Sequence, residues 1–186
     1  VYTPAEYGLD YDEIAFPAAD GTSLHGVWIP SPGSKKAVVI LHGHGGSMDW
    51  DIQRAPYFHK AGFHVMLFDF RAHARSDGKI ASFGYLERQD VLGAVAFLKG
   101  RGIERIGLLG FSYGGIASML AAPICPEINA VISDGGPARP LSAIAGRFVE
   151  WGFPRGVGNF FGWLTFAATS LRLGVSLFRY EAIRWV

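Results

Sequence analysis

A single cysteine, Cys125, stands in the whole chain. An intrachain disulfide, a thiolate metal cage and a redox pair are therefore excluded, and a reducing, cytoplasmic location is the expectation. No run of lysine or arginine lines any stretch, and the formal net charge is only +1. That leaves no electrostatic footprint for a nucleic-acid partner. The opening residues Val1-Tyr2-Thr3-Pro4 lack an initiator methionine and a charged segment leading into an apolar one, so no secretory signal is legible and residues upstream of Val1 are expected. Histidine is missing from the entire second half: His25, His42, His44, His59, His64 and His73 all precede residue 74.

What is present reads as a folded globular chain, with 49% hydrophobic and 18% charged residues in 186. Alternation over 11–16 and 23–29, with Ala19-Asp20-Gly21 between them, predicts an antiparallel hairpin. Continuous apolar runs at 37–41, 65–68, 106–109 and 130–132 predict strands buried on both faces. Helical periodicity over 48–61 and 85–99 separates the first three runs. Strands that alternate with helices in this way predict an α/β architecture, a mostly parallel sheet with helices on both faces, over 1–137.

From Pro137 the strand signals stop and aromatics accumulate: Phe148, Trp151, Phe153, Phe160, Phe161, Trp163, Phe166, Phe178, Tyr180 and Trp185. Residues 138–186 are expected to form two or three helices of a cap or lid. A membrane span over 159–178 is disfavoured by Arg172, Gly162 and Gly174, leaving a packed cap or a surface that leans on a membrane. The aromatics either line an apolar pocket or pack the cap. Arg147, Arg155, Arg172, Arg179 and Arg184 read as solvated helix charges.

The chemistry concentrates in Gly110-Phe111-Ser112-Tyr113-Gly114. An apolar strand runs into this turn and 116–122 continues as a helix, which puts a serine side chain at the tip of a sharp strand-to-helix corner. A serine hydroxyl needs a base, an orienter for that base and amides that receive the developing oxyanion. The glycine-rich stretch His42-Gly43-His44-Gly45-Gly46 leaves the first central strand. It is either a flexible turn or the second wall of an oxyanion hole, with the His44 amide joining that of Tyr113.

These two segments, with Asp69-Phe70-Arg71-Ala72-His73-Ala74-Arg75-Ser76-Asp77-Gly78, resemble the α/β-hydrolase superfamily and its esterase and prolyl-oligopeptidase-like branches, over residues 12–137. The resemblance implies a serine hydrolase of small-molecule carboxylic esters, with thioesters or amides as further substrates. It implies Ser112 as nucleophile and no metal or organic cofactor. Alanines stand at 72 and 74 where family members usually carry glycine, which predicts a differently drawn turn. His73 is expected to be structural.

In that family the acid and then the histidine follow the nucleophile. Here Glu127, Asp134, Glu150 and Glu181 follow Ser112, and no histidine does. Asp134, at the end of the strand run, is a candidate acid, or else lines the site or holds a turn. The pattern predicts an incomplete hydrolase with roughly 80 to 110 further residues, counted as two βα units and a helix. The strand around 130–132 would then be a sheet edge, open or covered. The competing expectation is a non-catalytic binding protein in which Ser112 is a relic. Oligomeric state is left open by the sequence.

Overall fold

The computed structural model describes residues 2–179. They form two compact units that divide between Gly136 and Pro137. The expectations for Tyr180, Glu181, Arg184 and Trp185 lie outside the described residues.

The first unit is a six-stranded sheet. Its strands are β1 (Asp12–Pro17), β2 (Ser23–Ile29), β3 (Lys36–Leu41), β4 (His64–Phe68), β5 (Arg105–Phe111) and β6 (Ile128–Asp134). Their spatial order is β1-β2-β4-β3-β5-β6. β1 and β2 pair antiparallel, β2 meets β4 antiparallel, and β4, β3, β5 and β6 run parallel. The α/β architecture expected from the alternation is thus present. Central strands that are covered on both faces must be apolar at every position. Val38, Val39, Ile40 and Leu41 accordingly sit in two separate clusters on opposite sides of the sheet, Val39 and Leu41 in one, Val38 and Ile40 in the other.

Two expectations need correction. The stretch 48–61 is not one helix: 3-10 turns at Met48–Trp50 and Ile52–Arg54 lead into a short helix α1, Ala55–Lys60. Pro56 explains this, because a proline lacks the N–H that an interior helical position donates and fits only the first turn. The run Ala130-Val131-Ile132 is a strand but not a buried one. β6 is an edge strand, Ile132 is 58% exposed, and among the described residues no strand pairs with its outer side. An apolar run reports β propensity but not how many neighbours the strand will have.

The helices that frame the site are α2 (Glu87–Gly100) and α3 (Tyr113–Ala121). The second unit contains α4 (Pro140–Glu150) and α5 (Arg155–Leu173), followed by a 3-10 turn at Leu177–Arg179. The two helices pack tightly where α5 offers glycine: a Cβ on Gly162 would lie 2.9 Å from that of Ala145.

Candidate active site

β5 ends at Phe111 and α3 begins at Tyr113, so one residue, Ser112, makes the corner. Its backbone sits at φ 47°, ψ −104°, outside the wells an L-residue ordinarily occupies, and its side chain is exposed. The corner closes because its neighbours have no side chains. A Cβ on Gly110 would lie 2.4 Å from the Gly114 carbonyl, and one on Gly114 would lie 2.4 Å from the Leu41 oxygen. The Ser112 amide donates to the Asp134 carbonyl at 2.7 Å. Asp134 therefore holds the turn through its main chain, and its carboxylate has no hydrogen-bond partner among the described residues.

The loop after β3 runs alongside. A Cβ on Gly43 would come 3.8 Å from the Ser112 Cβ. In this loop the Gly45 amide donates to His73 Nε2 and the Gly46 amide to the Gly43 carbonyl. Among the described residues the His44 amide has no acceptor. Tyr113 is the first residue of α3, so its amide is one of those a helix leaves unpaired, at the end where the dipole favours negative charge.

Three imidazoles gather beside the loop: His42 and His73 with ring centres 5.2 Å apart, and His44 at 5.5 Å from His73 and 5.3 Å from the Tyr113 ring. His42 Nε2 accepts the Phe70 amide, which leaves Nδ1 to donate to the Gly43 carbonyl at 2.7 Å. Burial pushes its pKa down to about 4. His73 is fixed the same way: Nε2 accepts from Gly45 and Nδ1 donates to the Arg71 carbonyl at 2.8 Å. Both rings are struts with neither nitrogen spare, as expected for His73. His44 is exposed, its nitrogens make no hydrogen bond among the described residues, and partial burial lowers its pKa.

Sequence reasoning missed the support beneath Tyr113. Glu87 is fully buried at the start of α2 and accepts the Ser82 amide, the Ser82 hydroxyl and the Gly84 amide at 2.8–3.1 Å. The Tyr113 hydroxyl accepts from the Ser82 amide at 3.0 Å and bonds to Glu87, and burial with that carboxylate pushes its pKa far upward. The ring is therefore locked in its neutral form directly below the elbow. An acid in a helix's first turn reads from sequence as ordinary dipole compensation, so nothing in the pattern marked it.

The turn at 69–78 departs from expectation. Ala72 and Ala74 adopt φ 58° and 41°, the left-handed conformation that glycine would adopt, so the turn is drawn as with glycine and the alanines bear the strain. Arg71, inside it, forks onto Asp20 at 2.7 and 2.9 Å and onto Asp90 at 2.6 Å.

Among the described residues no group of His, Cys, Asp or Glu could hold a metal ion, and no helix is long and apolar enough to cross a membrane. A family model described as alpha/beta hydrolase fold matches residues 36–181. The uncharacterized protein YfhR of Salmonella typhimurium is 33% identical over 131 residues, covering 66% of this chain and 43% of that protein. Thiohydrolase aneE of Aspergillus aculeatus is 33% identical over 129 residues, covering 66% of this chain and 41% of that one. The solved structure of the Pyrococcus furiosus esterase Pf2001 superposes with a TM-score of 0.74 at 30% identity, covering 86% of this chain and 66% of that one. The chain thus spans less than half the length of these two sequence relatives.

Proposed function

Since the chain belongs to the α/β-hydrolase fold family, we propose that Ser112 is the nucleophile of a hydrolase that cleaves carboxylic esters through an acyl-enzyme. The observation that carries this is the corner itself: an exposed serine held at φ 47° between a buried strand and a helix N-terminus. Strain of this kind persists only where the surroundings impose it, and here it presents Oγ outward.

In the proposed reaction Ser112 Oγ forms a bond to the acyl carbon while its proton passes to a general base. The carbonyl π electrons move to oxygen, and the Tyr113 and His44 amides receive that charge. Collapse of the intermediate expels the alkoxide, which takes up the proton, and water then releases the acid by the same steps. His42 and His73 are not the base, since a protonated ring would lose the backbone donor that each Nε2 now accepts. A thioester is the second substrate class, favoured by the likeness to a thiohydrolase. The same Oγ would attack it, with a thiolate leaving.

The test is labelling with a fluorophosphonate. The 186-residue chain should label slowly at Ser112, because with no base assigned only the oxyanion amides assist. Ser112→Ala should not label at all. Equal labelling of the two proteins would remove Ser112 from the role.

A further inference from the structure

The second unit differs from the first in charge and in what it shows to solvent. Over 137–179 five arginines stand against one glutamate, a net +4, whereas 1–136 carry eleven cationic and fourteen acidic side chains, a net −3. Arg147 is paired with Glu150, but Arg139, Arg155, Arg172 and Arg179 have no acidic partner among the described residues.

Helix α5 is apolar on the side that a surface helix normally keeps polar. Val157, Phe160, Leu164, Ala168 and Leu171 follow one another at intervals of three and four, so they share one side of the helix, and all are exposed, Phe160 by 58% and Leu171 by 85%. The opposite side is already taken. Gly158 and Gly162 meet α4 at Ala145, and Phe166 is buried. The seam of small residues fixes which face turns outward. Trp163 widens the exposed stripe, and an open groove of about 470 Å³ adjoins its end, lined by Ala167, Leu171, Val175 and Phe178 among others. Contiguous exposed apolar surface of this kind marks an interaction site.

We propose that this face of α5 docks in the plane of an anionic lipid bilayer, its apolar stripe among the acyl chains and the unpaired Arg172 beside it on the headgroups. No described helix is long and apolar enough to cross a membrane, so the helix lies in the interface rather than across it. A second copy of the chain fits the apolar stripe but would set +4 against +4, whereas anionic headgroups complement that charge. Arg172, four residues after Ala168, flanks the apolar stripe at the C-terminal end of α5.

The experiment is co-sedimentation of the 186-residue chain with vesicles of phosphatidylcholine alone and of phosphatidylcholine with phosphatidylglycerol. Binding should require phosphatidylglycerol and weaken as salt is raised. Arg172→Gln should weaken it by roughly five-fold, the effect of one arginine near the surface. Phe160→Ser with Leu171→Ser should lower it at least ten-fold while the chain still unfolds in one cooperative transition, since Phe160 is 58% and Leu171 85% exposed. Equal binding to both vesicle types, no binding to either, or indifference to the serine pair would overturn the proposal. So would sedimentation velocity showing a dimer that the serine pair dissolves while vesicles go unbound.

Discussion

Two tight turns leave the strands on either side of β3, and both hold non-glycine residues at positive φ. One is the elbow after β5, with Ser112 at 47°; the other follows β4, with Ala72 at 58° and Ala74 at 41°. At the elbow the strain presents a hydroxyl, and two close backbone approaches, at Gly110 and Gly114, hold it there. At 69–78 the alanine side chains contribute nothing that glycine would lose, and the turn is held by polar contacts: Arg71 on Asp20 and Asp90, His73 on Gly45, and Asp69 accepting the Met48 amide at 2.8 Å. Strain is therefore informative only together with what it presents. The elbow's strain should be costly to disturb, while that at 72 and 74 should be relievable.

The largest effect is expected at Gly114. A Cβ there would sit 2.4 Å from a backbone oxygen of β3, which no rotamer change relieves. Gly114→Ala should cost at least about 3 kcal/mol in urea unfolding. A cost under about 1 kcal/mol would mean that the corner is not held by close backbone approach.

Next is the support under Tyr113. Glu87→Gln keeps shape but turns an amide NH2 toward donors, which should cost about 2 to 3 kcal/mol, as for loss of buried hydrogen bonds to a charge. The proposed nucleophile adds a second readout. Fluorophosphonate labelling of Ser112 should slow more in Glu87→Gln than in a variant destabilised equally in the hairpin, such as Ile14→Ala. Equal slowing would confine Glu87 to stability.

The third effect separates the histidine struts by pH. His42 titrates near 4 when folded and near 6.5 when free, so the stability it contributes is complete above 6.5 and is lost as pH falls toward 4. Between pH 7 and pH 5 that amounts to about 2 kcal/mol. Asp90 opposes it in this window, because burial pushes its carboxyl up to about 6. The comparison is therefore between proteins: His42→Gln, which can still accept from Phe70 and donate to Gly43, should be less destabilised by pH 5 than the unsubstituted chain. Identical pH profiles for the two would overturn the strut reading.

How far the sequence carried these conclusions differs from element to element. The hairpin, the parallel strands and the elbow were legible because each rests on local signals: alternation, apolar runs, and glycines flanking one serine. The broken helix at 48–61 hid because apolar period outweighed one proline. The exposure of β6 and the burial of Glu87 depend on what lies alongside them, which no window of sequence contains. His73 was legible as structural. His42, which uses both nitrogens in the same way, was not distinguished from its neighbour His44 until hydrogen bonds were in view. Asp134 was legible by its position at a strand's end, where its main chain also accepts the Ser112 amide.

The smallest effect closes the comparison between the turns. An L-residue in the left-handed region pays about 1 kcal/mol for its Cβ, while glycine loses more backbone entropy on folding. At 72 and 74 the first effect should win, because the conformation is fixed by polar contacts that do not involve the alanine side chains. Ala72→Gly and Ala74→Gly should each raise stability by roughly 0.5 to 1 kcal/mol, with labelling of Ser112 unchanged. At Ser112 the same relief takes away the proposed nucleophile: Ser112→Gly should gain a similar amount and label not at all. Thermal unfolding of the three variants side by side decides it. If Ala72→Gly and Ala74→Gly destabilise while Ser112→Gly stabilises, the strain after β4 is not carried by the alanines, and the likeness drawn between the two turns fails.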